Sequence, residues 1–314
     1  MPLTSKTDAF IAAQLAEWPL AAANFKALEN VEVKEIGMPG MTMKVQFNPA
    51  RIVSSGAKVD AASLKARKCF LCEANRPSEQ YGIEWGGRYT ILVNPFPIFP
   101  RHLTIPDNSH TDQRIKGRMA DMVRLATELK GYTVFYNGPK CGASAPDHMH
   151  FQAGNSDFLT IGEAVENAVL ETVSECDGAV LSLATGLPLN VFAIDSTTPQ
   201  SAEKLFDRLY EALPLNEGET EPMMNVLSYA TAAGVRTIVI PRKKHRPSFY
   251  GTEGSDCMLL SPASVDMGGV FITPRREDFE RLDADVISRV FDELCLSKAE
   301  TDEVASRLRD RRIL

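Results

Sequence analysis

The sequence predicts an α+β fold in which two related halves each contain a mainly antiparallel β-sheet flanked by helices. Helix-like and strand-like segments alternate along the chain, and their order in the first half recurs more loosely in the second half. The composition is that of a globular protein, with 44 % apolar and 24 % charged residues over 314 positions. We predict one unit over residues 1–155 and a second over residues 156–314.

Local patterns predict the elements of the first half. Residues 5–30 have the Ala- and Leu-rich spacing of helices, interrupted at Pro19. A strand pair over 31–37 and 41–48 surrounds the turn residues Gly-Met-Pro-Gly. After a loop over 48–76, the predicted elements are strands over 89–94, 102–106, 132–137 and 148–153, a helix over 111–130, and a Gly- and Pro-rich loop over 138–147.

The second half repeats this order. The predicted elements are strands over 189–194, 223–230, 235–241, 257–262 and 268–274, and a helix over 200–213. Ser297 and Glu300 have the spacing of a capping box and open a final helix. The segments IPDNSH at 105–110 and IPRKKH at 240–245 both place a His four residues after a Pro, which favours an internal duplication.

Charge and hydropathy exclude several classes of protein. The net charge is −7, with 18 Lys and Arg against 14 Asp and Glu in residues 1–150 and 16 against 27 in the rest. An acidic chain is a poor candidate for sequence-independent nucleic-acid binding, although a local cationic cluster can hold a small anionic ligand. No apolar run has the length of a membrane span, and the N-terminus has acids where a signal peptide is apolar. We therefore expect a soluble, cytoplasmic protein without a membrane or nucleic-acid partner.

Three polar residues alternate along one predicted strand. His148, His150 and Gln152 are two residues apart, so a strand directs all three to the same face. Surface or hydrogen-bonded strand residues are the simpler interpretation of a His pair. The preceding loop favours a site instead, because Gly138, Gly142 and Ser144 are small residues that let backbone N–H groups approach an anion.

Two of the six cysteines form a C-x-x-C pair. Cys69 and Cys72 have the spacing that binds zinc from one turn, and a tetrahedral site needs two more ligands, usually imidazoles. His102, His110 and His148 are the candidates. A chance pair of packed thiols and a redox-active pair are the alternatives, although the sequence around the pair does not clearly supply the strand-turn-helix setting of a redox site.

The motifs together resemble a known superfamily. The segments CFLCEANRP (69–77), VNPFPIFPRHLTIPDNSH (93–110) and FYNGPKCGASAPDHMHFQ (135–152) resemble, in order and content, the transferase branch of the histidine triad superfamily. That branch includes galactose-1-phosphate uridylyltransferase, the diadenosine tetraphosphate phosphorylases and the GDP-galactose phosphorylases. Residues 189–274 resemble only faintly the second, degenerate half of such enzymes.

The resemblance implies roles for individual residues. His150 matches the nucleophile that holds a nucleoside monophosphate, and Gln152 matches the residue that hydrogen-bonds its phosphoryl oxygens. One structural zinc is implied, with Cys69, Cys72, His110 and His148 as ligands. The residues that match nucleotide and phosphate contacts are Arg51, Asn94, Asn137, Gly142 and Ser144.

The residue types at these positions suit such chemistry. A neutral imidazole is a good nucleophile and, once protonated, a reasonable leaving group from phosphorus, so a His divides one displacement into two. Histidine triad hydrolases have a third His where this chain has Gln152. A neutral amide cannot shuttle a proton, so we expect phosphate or a sugar phosphate, rather than water, as the acceptor.

A basic cluster in the second half is a further candidate for substrate binding. Residues 242–246 carry Arg242, Lys243, Lys244, His245 and Arg246 in an otherwise acidic region. A solvated basic loop is the alternative. We predict that Arg242 and Lys243 reach the first-half site and bind a phosphate. Asn225 and Asp266 receive no role.

The expected function is nucleotidyl transfer through His150, from a nucleotide or sugar-nucleotide donor to phosphate or a sugar phosphate. Asp147 and Met149 replace the prolines of the uridylyltransferase motif, which leaves the base and the sugar open. A diadenosine polyphosphate phosphorylase and a non-catalytic, zinc-stabilised nucleotide-binding protein are the alternatives. The second half contains no H-x-H motif, so no second metal site is expected, and the oligomeric state stays open.

Overall fold

In the computed structural model of the chain, residues 1–52, 60–251 and 257–310 are described. The helices are α1 (Leu3–Glu17), α2 (Pro19–Ala27), α3 (Ala61–Ala66), α4 (Met119–Glu128), α5 (Ile161–Asn167), α6 (Pro199–Ala212), α7 (Ser264–Met267), α8 (Arg276–Arg281), α9 (Ala284–Leu294) and α10 (Lys298–Asp310). The strands are β1 (Glu32–Met38), β2 (Met41–Phe47), β3 (Ile83–Trp85), β4 (Tyr89–Val93), β5 (His102–Pro106), β6 (Tyr132–Asn137), β7 (His150–Asn155), β8 (Val169–Cys176), β9 (Ala179–Thr185), β10 (Val191–Ser196), β11 (Met224–Ala230), β12 (Val235–Pro241) and β13 (Val270–Thr273).

One long antiparallel sheet joins the two halves. Within the described ranges, ten strands follow the order β3-β4-β5-β7-β6-β11-β12-β10-β9-β8, and β6 pairs with β11 at the centre. A smaller sheet has the order β1-β2-β13, in which β13 runs parallel to β2. The predicted α+β class with mainly antiparallel sheets is confirmed.

Strands of the long sheet bury both faces. Along β6, Val134 and Tyr136 pack with the apolar residues of α4 and α6, whereas Phe135 packs on the other face with β2, α5 and α9. Successive side chains of a strand point to opposite faces, so both faces of the centre are apolar. This explains why the central strands of the long sheet are nearly continuous apolar runs in the sequence.

The two halves have the same strand order. Counted outward from the β6–β11 junction, the strands are β6, β7, β5, β4 on one side and β11, β12, β10, β9 on the other. Helix α4 precedes β6 and helix α6 precedes β11 in the same way. The similarity of the segments at 105–110 and 240–245 is nevertheless a coincidence, because β5 and β12 occupy different positions in this order. The boundary near residue 155 stays a prediction.

Several predicted elements differ from those observed. Residues 257–262 do not form a strand, and the helix predicted over 111–130 begins only at Met119. Gly117 lies two residues before Met119 and has a φ of +73°, a conformation that interrupts a helix. The strand predicted over 148–153 begins at His150. Part of the predicted loop over 48–76, residues 53–59, lies outside the described residues.

The strands β8 and β9 are absent from the prediction. They form a hairpin whose turn is Asp177-Gly178, with φ values of +49° and +80°. An Asp-Gly pair between alternating segments is a hairpin signal that would have identified it. The capping box of Ser297 and Glu300 is present, since the Ser297 backbone N–H donates to the Glu300 carboxylate at 2.7 Å. None of the helices in the described part of the chain has the length and apolar character needed to cross a membrane.

Candidate active site

His150 and Gln152 lie on one face of β7 and line a cavity of about 600 Å³. Phe151 and Ala153 point to the opposite face, where they pack against the core under α4. The alternation of the strand therefore separates apolar from polar side chains. We call this space the central cavity. It is lined by residues of both halves.

A hydrogen bond to the backbone fixes the tautomer of the His150 imidazole. Its Nδ1 lies 2.8 Å from the backbone carbonyl oxygen of His148. A carbonyl only accepts, so Nδ1 carries the proton and Nε2 keeps a lone pair. The side chain is 3 % exposed, and burial lowers the pKa of His150 to about 4. The imidazole is thus neutral at neutral pH and has an unprotonated ring nitrogen.

Gln113 holds the backbone of His150 from both sides. The His150 backbone N–H donates to Gln113 Oε1 at 2.8 Å, and Gln113 Nε2 donates to the His150 carbonyl oxygen at 3.1 Å. Gln113 Nε2 also donates to the carbonyl oxygen of Asn137 on β6. No local pattern in the sequence identifies Gln113, because its partners lie 24 and 37 positions away.

The four predicted metal ligands meet at one point. Their ligand atoms all lie within 4.8 Å of one another. Cys69 Sγ is 3.2 Å from His148 Nδ1, and Cys72 Sγ is 3.1 Å from His110 Nδ1 and 3.6 Å from His148 Nδ1. Zinc bonds of about 2.0–2.3 Å in a tetrahedron separate sulfur and nitrogen ligands by about 3.5 Å. The Cys2His2 cluster (Cys69, Cys72, His110 and His148) therefore has the size and donor set to hold a metal ion.

Neighbouring groups prepare the Cys2His2 cluster for a metal. His148 Nε2 lies 2.8 Å from the Asp107 carbonyl oxygen, so Nε2 carries the proton and Nδ1 faces the sulfurs. Burial opposes ionisation of the Cys69 thiol, but hydrogen bonds, first of all with His148, lower its pKa to about 6. His102 is not a member of this cluster.

His148 does not share the central cavity with His150 and Gln152. The prediction that one strand face presents all three is wrong, because β7 begins at His150 and the chain bends before it. His148 belongs to the Cys2His2 cluster, while the other two line the cavity. None of the four residues of the Cys2His2 cluster thus lines the cavity, although Leu71, which lies between the two cysteines, does.

Two arginines present unpartnered donors in the cavity wall. Arg51 Nη1 donates to the Phe96 carbonyl oxygen at 2.6 Å, but its buried Nε has no hydrogen-bond partner among the described residues. Arg67 Nη2 pairs with Asp147 at 2.5 Å, and its buried Nη1 has no hydrogen-bond partner in the part of the chain that the structure describes. Burial lowers the pKa of Arg51 to about 10, so it stays cationic at neutral pH. Buried cationic donors without partners suit an anionic ligand.

The other first-half residues predicted to bind the nucleotide also line the cavity. They are Asn94, Asn137, Gly142 and Ser144. Residues from the second half complete the wall, namely His245, Arg246, Ser261, Ala263, Val265, Asp266 and Ile272. His245 and Arg246 belong to the basic cluster that the sequence marks as a candidate, whereas no local motif identifies the other five, because the fold brings them to the site from distant positions.

Arg242 and Lys243 do not line the cavity, so the prediction that these two residues reach the first-half site is wrong. Arg242 is 2 % exposed, and its Nη1 donates to Asn225 Oδ1 at 2.7 Å. Lys243 pairs with Glu300 on α10 at 3.4 Å. The basic cluster reaches the cavity through His245 and Arg246 instead.

Arg242 and Asn225 hold the side chain of Asn137 in place through a chain of hydrogen bonds. Asn225 Nδ2 donates to Asn137 Oδ1 at 3.2 Å, and the Ser264 backbone N–H donates to the same oxygen at 2.7 Å. The side-chain oxygen of Asn137 therefore already accepts two hydrogen bonds. This chain of contacts links the second half to a residue that faces the cavity.

Gly142 touches the second half so closely that a side chain does not fit. Its φ is +94°, and a Cβ there would lie 2.4 Å from the Ala263 Cβ. We expect Gly142→Ala to lower the free energy of unfolding by about 3 kcal/mol, from backbone strain and steric overlap. Gly178→Ala is the control, with a φ of +80° and no atom within 4 Å, and we expect it to cost about 1 kcal/mol. Urea unfolding of both variants measures the difference, and equal losses would contradict the contact between Gly142 and Ala263.

Comparisons with known proteins cover both halves. A family model described as a domain of unknown function, DUF4922, matches residues 10–155, and the GDPGP1-like C-terminal domain matches residues 167–310. No curated protein matches the sequence.

The chain is similar to solved structures of yeast Ap4A phosphorylase Apa2. One has a TM-score of 0.59 and 20 % identity, covering 88 % of this chain and 96 % of that chain. The complex with Ap4A has a TM-score of 0.58 and 19 % identity, covering 88 % and 96 %. The complex with AMP has a TM-score of 0.53 and 18 % identity, covering 89 % and 97 %. At this identity the similarity establishes a shared fold.

Proposed function

We propose that this chain, whose fold is that of the histidine triad transferases, transfers nucleotidyl groups through a covalent bond to His150. The resemblance of the three motif segments to the histidine triad transferases is confirmed at the level of the fold. The single observation that carries the proposal is the orientation of His150, which directs an unprotonated Nε2 at the cavity that also holds Gln152.

The reaction has two displacements at one phosphorus. His150 Nε2 attacks the α-phosphorus of the donor, an N–P bond forms, and the P–O bond to the leaving phosphate or sugar phosphate breaks. An oxygen of the acceptor phosphate then attacks the same phosphorus, and the N–P bond breaks to restore His150. The Nδ1–H bond to the His148 carbonyl stabilises the positive imidazole during the transfer.

Gln152 favours transfer over hydrolysis. An amide donates hydrogen bonds to phosphoryl oxygens, but it neither removes a proton from water nor returns one to a leaving group. A phosphate acceptor needs no such help, because it enters as an oxyanion. The acceptor class is therefore inorganic phosphate or a sugar phosphate.

Three arginines supply charge for a substrate with two or more phosphates. Arg51 and Arg67 stand in the first-half wall, and Arg246 enters from the second half, where its Nε donates to Ser261 Oγ at 2.9 Å. We assign Arg51 and Arg67 to the donor and Arg246 with His245 to the acceptor or leaving phosphate. Residues 1–155 would then supply the nucleophile, and residues 156–314 would supply contacts to the second reactant.

Zinc is the metal that the Cys2His2 cluster suits best. Cys69, Cys72, His110 and His148 would bind it as four protein ligands, which closes the coordination shell. A closed site is structural, so the metal would stabilise the loop that carries Cys69 and the start of β7. His148 precedes His150 by two residues, and the site thereby fixes the position of the nucleophile.

The second half favours sugar nucleotides among the possible donors. Residues 167–310 match the GDPGP1-like C-terminal domain, and a GDP-sugar is accordingly our first donor, with a UDP-sugar of the hexose-1-phosphate uridylyltransferase type as its close variant. The shared fold with yeast Ap4A phosphorylase makes a diadenosine polyphosphate the second donor to test.

Turnover of a donor panel tests this function. The panel contains GDP-, UDP- and ADP-sugars and diadenosine tetraphosphate, each with inorganic phosphate and each in buffer without it. We expect a nucleoside diphosphate from one donor class, with a phosphate dependence of at least about 100-fold, because Gln152 cannot remove the proton that water must lose as it attacks. Release of a nucleoside monophosphate at the same rate without phosphate would identify a hydrolase. Saturable nucleotide binding without any product, with inorganic phosphate and also with a hexose 1-phosphate as acceptor, would identify a non-catalytic binding protein.

A further inference from the structure

His102 is a buried histidine that is not a member of the Cys2His2 cluster and has no part in the two displacements described above. It lies at the start of β5, opposite Gly154 of β7, and is 0 % exposed. Thr104 lies opposite Gln152 in the same register, so His102 is the diagonal neighbour of Gln152 on the cavity face. The rings of His102 and Phe99 pack in a T-shaped arrangement, with their centroids 5.2 Å apart.

The backbone fixes the tautomer of His102. The Ile98 backbone N–H donates to His102 Nδ1 at 3.1 Å, so Nδ1 is the acceptor and carries no proton. Burial lowers the pKa of His102 to about 3, and the ring is neutral. The proton therefore sits on Nε2, which lies 3.0 Å from Gln152 Oε1 and donates to it.

Asn94 donates to the same oxygen of Gln152. Its own oxygen accepts the Phe96 backbone N–H at 2.9 Å, which directs its Nδ2 at Thr104 Oγ1, 3.0 Å away, and at Gln152 Oε1, 3.4 Å away. Two donors thus face one amide oxygen. Exchanging the oxygen and nitrogen of Gln152 would set an N–H donor against the Nε2–H of His102.

We propose that His102 is a positioning residue that orients the amide of Gln152, so that its NH2 group rather than its oxygen faces the phosphoryl group in the central cavity. The inference rests on the proposed function, because it concerns the donor that contacts the phosphoryl oxygens. The NH2 group has two N–H donors and attracts a phosphoryl oxygen, whereas the amide oxygen repels it. The chain of contacts runs from Ile98 through His102 to Gln152.

Nitrogen NMR of the histidine rings tests the first link without any substrate. In protein labelled with ¹⁵N at the imidazoles, we expect the His102 ring to be the Nε2–H tautomer from pH 5 to pH 8. The signal is assigned by its loss in His102→Gln. An Nδ1–H tautomer, or a ring that is protonated in this range, would overturn the proposal whether or not the protein transfers nucleotides.

A double-mutant cycle tests the second link. The variants are His102→Leu, Gln152→Ala and the pair, and the measured quantity is the single-turnover rate of donor consumption at saturating donor. We expect His102→Leu to lower this rate by about 100-fold, as removal of one oriented donor does, and to lower it less than twofold when Gln152 is already Ala. An equal loss in both backgrounds would mean that His102 acts through the fold, and would overturn the proposal.

His102→Gln is the rescue variant. Its amide nitrogen can donate from nearly the position of the imidazole Nε2, so we expect at least a tenfold recovery over His102→Leu with a similar unfolding temperature. Equal rates for His102→Gln and His102→Leu, when both are folded, would contradict the orienting role. A wild-type protein that consumes no donor refutes the proposed function instead, and the ring spectrum then decides on His102.

Discussion

Replacing His150 with alanine is expected to lower turnover by at least about 10⁴-fold, because the substitution removes the nucleophile that forms the covalent bond to phosphorus. The fold should persist. The side chain faces the cavity, and the backbone bonds of residue 150 to Gln113 do not need the imidazole. Steady-state rates with the best donor and phosphate, together with thermal unfolding, measure both effects.

His245→Ala is the matched control for His150→Ala. His245 also lines the cavity, and burial lowers its pKa to about 4, so it is a neutral imidazole like His150. We expect this variant to raise the KM for the acceptor and to change kcat by less than about tenfold, because it loses binding without losing the nucleophile. If both variants lose the same fraction of kcat, His150 has no special role.

Loss of the zinc proposed for the Cys2His2 cluster is expected to have the largest effect on stability. Cys69→Ser removes one of four ligands, and removal of a structural metal site destabilises a protein by about 4 kcal/mol or more. Metal analysis should give one zinc per wild-type chain and a lower content in the variant. Calorimetry should give a lower unfolding temperature for the variant and for chelated wild type.

Cys176→Ser controls for the change of thiol to hydroxyl. Cys176 is a half-buried free thiol on β8, outside the Cys2His2 cluster. We expect its substitution to change the free energy of unfolding by less than about 0.5 kcal/mol and to leave the zinc content unchanged. A wild-type chain without zinc, whose stability equals that of Cys69→Ser, would contradict the structural metal site.

The sequence predicted the parts of the site that short motifs carry. Cys69 and Cys72 are three positions apart, and His148 and His150 are two apart, so their chemistry is visible within a few residues. The cluster of the four predicted metal ligands followed from the family resemblance, and the structure brings these four residues together. The fold class followed from the alternation of strands and helices.

Residues that act through long-range contacts could not be predicted. Gln113 contacts His150 only because the segment before α4 is not helical, and the pattern there predicts a helix. Arg242 resembles a solvent-facing cation in the sequence, but its side chain is buried, and its Nη1 donates to Asn225 Oδ1 on β11 and to the Pro262 carbonyl oxygen. Burial and tautomers depend on the folded environment, and no local pattern encodes them.

The central claim is that a nucleotidyl group is held on His150, and intact-protein mass spectrometry tests it most directly. Wild type and His150→Ala are incubated with each donor without phosphate and measured under denaturing conditions. The account predicts a mass increase of one nucleoside monophosphate on wild type, lost on addition of phosphate and absent from His150→Ala, with the mass identifying the base. Phosphate-dependent turnover with no adduct on wild type, or the same adduct on His150→Ala, would contradict it.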